Sequence, residues 1–428
     1  MHCLNYSPYI CFIMKKNTLL FLIVSILSLM LPSCSDTETS LHPLLQNSET
    51  SFVVPEDSAI SIANQAVIAI AKETGTRGDL EERTVSSVDI VNLNPNVRTR
   101  TTNEQVISSS LYIINFQNNK GFAVLSSDKR LRPLYAVSDS GSIAMSDTLN
   151  NKNLALFFNG VKDDIVQTTE KGPTISDLSD RKIINSPQVY PMIWLAPSLW
   201  GQGEPYNTYC YTTTGEKAKV GCAAVACGIV MSYYGWPSYI NDKRLNWHSM
   251  KKYTTDHNID YVFGKLGESQ QLNMQYGVKA SGASTANLSR TFVRMGYYAP
   301  DDLKTFSESK VCNLLDDKSR NGYGPLLVVG SEENGLGGHA WVIDGYCKNI
   351  TNTDGSDIQY DTVLFHCVWG WYGKNNGYFY LNNGKLGGPD SYFGKEDNGD
   401  TSTSYNFKNL QYMANFKINS NKQNVDLQ

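Results

Sequence analysis

The stretch Ala218-Lys-Val-Gly-Cys-Ala-Ala-Val-Ala-Cys-Gly-Ile-Val-Met231 decides how this chain is read. A Gly-Cys step opens a run of small and apolar residues, the pattern of a buried helix that begins at Cys222. A thiol must ionise to attack a carbonyl, and its ordinary pKa near ~8.5 leaves little thiolate at neutral pH. A helix N-terminus favours the anion through its open N–H groups and its dipole. Gly221 permits a tight entry, and Ala223 and Ala224 let the helix pack closely. Cys227 falls five residues on, inside the helix and on another face, outside that field. Taken alone, the stretch fits a buried helix-start cysteine without chemistry equally well.

A thiol hydrolase also needs a base. The six histidines are His2, His42, His248, His257, His339 and His366. The first two precede the folded region, and His248 and His257 sit in polar, loop-like sequence. His339 lies in Gly337-Gly-His-Ala-Trp-Val-Ile-Asp-Gly345, where a glycine turn displays it at the entrance of an apolar strand. His366 is mid-strand in Leu364-Phe-His-Cys-Val-Trp369 and reads as a packed, satisfied residue. His339 is therefore the candidate base, able to take the thiol proton and return it to a leaving amine. The third element of acyl transfer is a donor for the developing oxyanion, worth ~3–4 kcal/mol. Gln202, in the turn-rich Trp200-Gly-Gln-Gly-Glu-Pro-Tyr-Asn207, offers such an amide beside the Cys222 N–H. Outside this company Gln202 is an ordinary surface residue.

Around these motifs the chain divides in two. Ile60, Ile62, Ala63, Ala66, Val67, Ile70 and Ala71 follow a helical spacing. An Arg- and Thr-rich loop around residues 97–100 follows. Leu111 to Phe116 and Phe122 to Ser126 flank Asn118-Asn-Lys-Gly121 as a hairpin, Leu134 to Ser138 is a further strand, and Asn153 to Glu170 reads as a helix. The second part begins helical, with Cys222 to Tyr234 and Thr285 to Met295, and turns to strands from Pro325 onward. Helices followed by strands make an α+β fold.

The amino terminus adds an address. Met14-Lys15-Lys16 precedes an apolar run from Leu19 to Leu31, shorter than the ~18 residues a bilayer span needs, so it reads as a signal peptide starting at Met14. Leu31-Pro-Ser-Cys34 resembles a lipobox, making Cys34 the expected lipidation site. The following Ser35-Asp-Thr-Glu38 resembles the export signal of Bacteroidetes surface lipoproteins. The expected division is signal peptide 1–34, polar tether 35–50, small α+β domain 51–172, linker 173–195 and second domain 196–428. A net charge of −4, with no basic stripe, gives no reason to expect a nucleic-acid partner. Nine cysteines show neither zinc-site nor dense disulfide spacing, so no metal or organic cofactor is expected.

The second domain resembles a streptopain-family cysteine peptidase, a member of the papain-like clan made as a zymogen. The resemblance rests on Gly201 to Asn207, Gly221-Cys222, Met231-Ser-Tyr-Tyr-Gly-Trp-Pro237, Gly338 to Gly345, Trp369-Gly-Trp-Tyr-Gly373 with Gly377-Tyr-Phe379, and Phe407 to Met413, in that order. The first domain is similar to that family's inhibitory propeptide, chiefly through Tyr112 to Ser127. The resemblance implies a papain-like fold, Cys222 as nucleophile, His339 as base, Gln202 as oxyanion donor and Trp369 covering the histidine. Gly338 and Ser281 match positions near the substrate cleft. It also implies protein or peptide substrates, with an apolar side chain favoured near the scissile bond, and the chain's own propeptide as inhibitor. Trp369 and Trp371, read as alternating along a strand, fit core aromatics equally.

Two departures stand out. Val368 occupies the position where the family places Asn, so the imidazole needs another hydrogen-bond acceptor, Asp344 or a backbone carbonyl. Cys222-Ala-Ala-Val-Ala226 replaces the usual Cys-Val-Ala-Thr-Ala. The alternatives are an attenuated or inactive homologue acting as a surface binding protein, an amidase or transferase acting on cell-wall peptides, and an unrelated structural lipoprotein.

Overall fold

The small-residue run does become a helix. In the computed structural model, the residues described are 52–74, 81–93, 108–149, 152–171, 181–183, 188–190, 199–252, 256, 258–316, 324–332, 338–348, 351–353, 363–381 and 407–427. The expected signal peptide, Cys34, the tether and the loop around residues 97–100 lie outside them.

The inhibitor-like half opens with α1 (Glu56–Thr74), which carries Glu56 and Asp57 in its first turn and Lys72 in its last, signs that suit the helix dipole. It continues with β1 (Val85–Asn92), β2 (Ser110–Phe116), β3 (Phe122–Ser126), β4 (Leu134–Ser138) and α2 (Lys152–Lys171). The hairpin turn between β2 and β3 is made by Asn118, Asn119 and Gly121 at positive φ, residue types that tolerate it. Two short strands follow in the expected linker, β5 (Arg181–Ile183) and β6 (Gln188–Tyr190).

The second half begins with α3 (Cys222–Tyr234), whose residues Ala223 to Ser232 are all buried, so the helix is apolar all round and central. Gly235 ends it in the left-handed conformation. Then come β7 (Tyr239–Ile240), β8 (Lys243–Arg244), α4 (Trp247–Lys252), α5 (Asn258–Gly267), α6 (Leu288–Arg294), β9 (Lys304–Thr305) and α7 (Glu308–Asp316). The strand-rich end comprises β10 (Leu326–Glu332), β11 (Gly338–Lys348), β12 (Thr351–Thr353), β13 (Leu364–Val368), β14 (Gly377–Phe379), β15 (Phe407–Met413) and β16 (Asn424–Val425). His248, expected in a loop, lies on α4.

One sheet runs through both halves in the order β1-β2-β3-β4-β14-β13-β11-β10-β15-β9, and β6 also pairs with β11. The seam is β4 against β14, with Ser138 opposite Gly377 and Ala136 opposite Phe379. The expected boundary near residue 172 is thus not a boundary in packing, and residues 51–428 form one compact unit. The linker is not merely a connection either, because Val189 pairs with Cys347 and Tyr190 with Tyr346.

The alternation of strand side chains divides the core. On one face Val328, Trp341, Ile343, Phe365 and Phe379 join Ala63 and Ile70 of α1, Phe157 and Val161 of α2, and Val311 of α7. On the other, Leu327, Val329, Ala340, Val342, Val368 and Met413 pack with α3, α5 and α6. The inhibitor-like helices and the strand carrying His339 therefore share a core. The nucleophile candidate's helix lies on the opposite face.

Candidate active site

Cys222 is the first residue of α3 and is half-buried, whereas Cys210, Cys227, Cys312, Cys347 and Cys367 are buried and none is in a disulfide. Burial pushes the thiols of Cys227, Cys347 and Cys367 well above their ordinary range, which leaves them inert. Gly221 precedes Cys222 at φ 92, and a Cβ there would lie 2.0 Å from Met274 Cε. Only glycine therefore gives the chain this entry. Ser281 Oγ donates to the Lys219 carbonyl at 2.6 Å and accepts from the Gly277 N–H at 3.0 Å. The Ser281 hydroxyl is thus committed to the backbone leading into Cys222. On the other side, the Val220 N–H donates to the Gln202 carbonyl at 2.8 Å, which ties the Gln202 turn to the chain two residues before Cys222.

His339 sits at the second residue of β11, after Gly338, and is 4% exposed. Its Nε2 is 3.3 Å from the Trp369 carbonyl. Such an acceptor holds the proton on Nε2 and makes Nδ1 the basic nitrogen of the neutral ring. The rings of Trp341 (5.9 Å, 11°) and Trp371 (6.5 Å, 26°) stack on the imidazole. Trp369 reaches the histidine through its carbonyl, while its ring lies against Trp341 at 5.2 Å. No spacing in the sequence distinguishes Trp341 for this role. Val368 is buried among the residues of the α3 face and pairs with Val342. The next residue's carbonyl supplies the acceptor that Asn would have offered.

Trp369 and Trp371 do not alternate on a strand, because β13 ends at Val368 and Gly370 turns at φ 77. Residues 369–377 form a loop rich in positive φ: Gly370, Tyr372 (φ 57), Gly373, Asn375 and Gly377. Asn376 Oδ1 accepts the Trp369 N–H at 3.1 Å and so holds the peptide just before the one whose carbonyl faces His339. A Cβ on Gly370 would lie 2.9 Å from Cγ1 of Val225, one turn into α3. This loop therefore joins the histidine to the helix of Cys222. It touches the Gln202 turn as well: the Gly203 N–H donates to the Tyr372 hydroxyl at 2.7 Å.

The inhibitor-like half grips the same loop from outside. The Asp139 N–H donates to the Asn376 carbonyl at 2.9 Å, the Ser138 hydroxyl shares its proton between the Ser140 carbonyl at 2.6 Å and that of Asn376 at 3.0 Å, and Ser140 Oγ donates to the Gly373 carbonyl at 3.2 Å. Beside it, His366 lies between Asp344, at 2.5 Å from Nδ1, and Asp139, at 3.0 Å from Nε2. Burial works against a charged imidazole there, but the two carboxylates win and push its pKa to about 10. His366 is a satisfied residue, as its setting suggested, and it engages Asp344, the alternative acceptor considered for His339. Among the described residues no cluster suits a metal ion.

Residues 200–379 match the Peptidase C10 family, and residues 51–165 match the family of the Spi protease inhibitor. Streptopain of Streptococcus pyogenes is 23% identical over 327 residues, covering 65% of this chain and 75% of its own. The thiol protease/hemagglutinin PrtT of Porphyromonas gingivalis is 28% identical over 216 residues, covering 44% of this chain and 23% of its own. Among solved structures, a fragment of Prevotella intermedia prointerpain A aligns at 19% identity with a TM-score of 0.46, covering 76% of this chain and 98% of the fragment.

Proposed function

We propose, on the match of residues 200–379 to the Peptidase C10 family, that this cysteine-type peptidase uses Cys222 as its nucleophile, His339 as its general base and acid, and Gln202 as its oxyanion donor. The Cys222 thiolate attacks the scissile carbonyl carbon, and the carbonyl π pair moves to oxygen. The Cys222 N–H and the Gln202 amide receive that oxyanion. Collapse expels the amine, which takes the proton held by His339, and leaves a thioester on Cys222. A water molecule, deprotonated by His339, then attacks the thioester, releasing the acid and returning the proton to the thiol. The observation that carries this reading is the 369–377 loop. Its Trp369 carbonyl lies against His339 Nε2, its Gly370 packs on Val225 of the Cys222 helix, and its Tyr372 meets the Gln202 turn.

The finer reading is an exported endopeptidase zymogen. Residues 51–172 hold the enzyme inactive until residues 173–195 are cut, an arrangement supported by the grip of Ser138, Asp139 and Ser140 on the loop that serves His339. Substrates are proteins with an apolar side chain near the scissile bond. Cys34 carries a lipid after signal cleavage and anchors the enzyme at the cell envelope. The test takes a chain starting at residue 35, as wild type and Cys222→Ala, incubated with reductant and followed by intact mass. The wild type alone is expected to shed its first half and then cleave casein. Equal behaviour of the two chains sinks the assignment of Cys222. Labelled fatty acid in the full-length chain, absent from Cys34→Ala, tests the anchor.

A further inference from the structure

Tyr372 adopts φ 57, a left-handed conformation that a bulky L-residue rarely takes and that the glycines around it take without strain. Strain of this kind persists only where surrounding contacts enforce it, and it concentrates at functional sites. Here the contacts are specific. The Tyr372 N–H donates to the Trp200 carbonyl at 3.0 Å, and its hydroxyl accepts the Gly203 N–H at 2.7 Å. Between these two bonds its ring covers Gly201 so closely that a Cβ there would lie 2.5 Å from the ring, and a Cβ on Gly203 would lie 2.6 Å from the hydroxyl. Tyr206 backs the ring at 5.7 Å. Of residues 201–203 only Gln202 carries a side chain, held between two glycines that fit under Tyr372. Its carbonyl is fixed from the other direction by the Val220 N–H at 2.8 Å.

We propose that Tyr372 is the positioning residue of the oxyanion site, a strap that fixes the backbone on both sides of Gln202 and ties it to the loop whose Trp369 carbonyl faces His339. This inference rests on Gln202 being the oxyanion donor. The strap links donor and base through residues 369–372, so both sides of the reacting carbonyl share one rigid support. A donor works only if aimed in advance at the position the oxyanion will take, and a misplacement of about 1 Å costs roughly a hundredfold.

The test uses full-length wild type, Tyr372→Phe, Gln202→Ala and the double variant. Each is converted by immobilised wild-type enzyme, which is then removed. Two rates are read: hydrolysis of a peptide amide, and alkylation of Cys222 by iodoacetamide. Alkylation is a displacement that forms no oxyanion, so it reports folding and thiolate reactivity without the strap. Tyr372→Phe keeps the ring and loses the acceptor for Gly203, and kcat is expected to fall about tenfold with alkylation unchanged. In the Gln202→Ala background the same change is expected to cost less than twofold. A Tyr372→Phe enzyme of wild-type kcat, a loss of the same size in both backgrounds, or a parallel fall in alkylation overturns the proposal. If Gln202→Ala itself retains wild-type kcat, Gln202 is not the donor, and that underlying reading falls together with the strap.

Discussion

Asp139→Asn, made in a Cys222→Ala chain to exclude the self-cleavage proposed above, isolates the charge that the first half lends to His366. The carboxylate lies 3.0 Å from Nε2 and is 51% exposed, whereas His366 is 10% exposed. A charge-assisted hydrogen bond nets ~1.5–3 kcal/mol, and the exposure of Asp139 puts this one at or below the lower end through screening. Asn keeps an acceptor oxygen, so the expected loss is about 1–1.5 kcal/mol at pH 7. The same quantity appears as a fall of roughly one unit in the pKa of His366, since one unit is about 1.4 kcal/mol. The sign follows from linkage. The folded pKa of His366, about 10, lies above its ordinary 6.5, so the contribution is complete below pH 6.5 and disappears as pH rises through 10. Asp344 on β11, Asp139 after β4 and Tyr378 on β14, whose ring lies 5.0 Å away, face the imidazole. The assay is urea unfolding of the two chains from pH 6 to 10.5, with the His366 carbon shift followed by NMR and assigned with His366→Gln. A stability gap that does not narrow above pH 9, or a His366 that titrates near 6.5 in the parent chain, refutes the reasoning.

Removing the amide in Gln202→Ala is expected to lower kcat about a hundred- to a thousandfold with little change in KM, measured on a peptide amide. Val368→Asn, which restores the family's usual residue, is expected not to raise kcat, because the Trp369 carbonyl already meets His339 at 3.3 Å. Burying the new amide in the α3-face core costs about 1–3 kcal/mol, read as a lower urea midpoint. Gly370→Ala puts a methyl 2.9 Å from Val225 at φ 77, and both stability and kcat are expected to fall, stability by about 1–3 kcal/mol. Tyr380→Phe removes a hydroxyl that donates to Asp164 of α2 at 2.9 Å, so it is expected to cost the intact chain about 1 kcal/mol. It should cost the converted enzyme nothing, because Asp164 has left with the first half, and thermal unfolding of both forms compares them.

Much of the peptidase half was legible because its elements carry local signals. The helix from Cys222 to Tyr234 stands out as an unbroken apolar run bounded by two glycines. The hairpin of β2 and β3 stands out through its Asn-Asn-Lys-Gly turn. β1 escaped notice because Ser86, Ser87 and Asp89 break its alternation and no residue in it is fully buried. The three-residue strands of the linker are too short for any period, and they are defined by their partners. The partnership of Asp139 with His366 spans 227 residues, so neither neighbourhood announces it. The tryptophans misled for a different reason. Their spacing of two predicts alternation along a strand, but Gly370 at φ 77 takes the motif off the strand, so Trp369 offers its carbonyl and Trp341 and Trp371 offer their rings. Tyr372 does carry a local signal, a bulky residue set between Gly370 and Gly373 in a turn.

The seam between β4 and β14 has a consequence for the fate of the converted enzyme. A sheet that loses its outer strands gains an edge, and edges with unpaired N–H and C=O groups recruit other chains into aggregates. Here the β14 edge laid bare by departure of the first half is Gly377 to Phe379, flanked by the Asn376 carbonyl, which accepts the Asp139 N–H, and the Tyr380 N–H, which donates to the Tyr135 carbonyl. It is too short to template a long ladder, and glycine starts it. The larger remainder of the parting is the face under α1 and α2, where Val328, Trp341, Ile343, Phe365 and Phe379 share a core with Ala63, Ile70, Phe157 and Val161. The parting is therefore governed by this shared apolar face and not by an open strand edge, and the leaving segment takes its own longer hairpin with it.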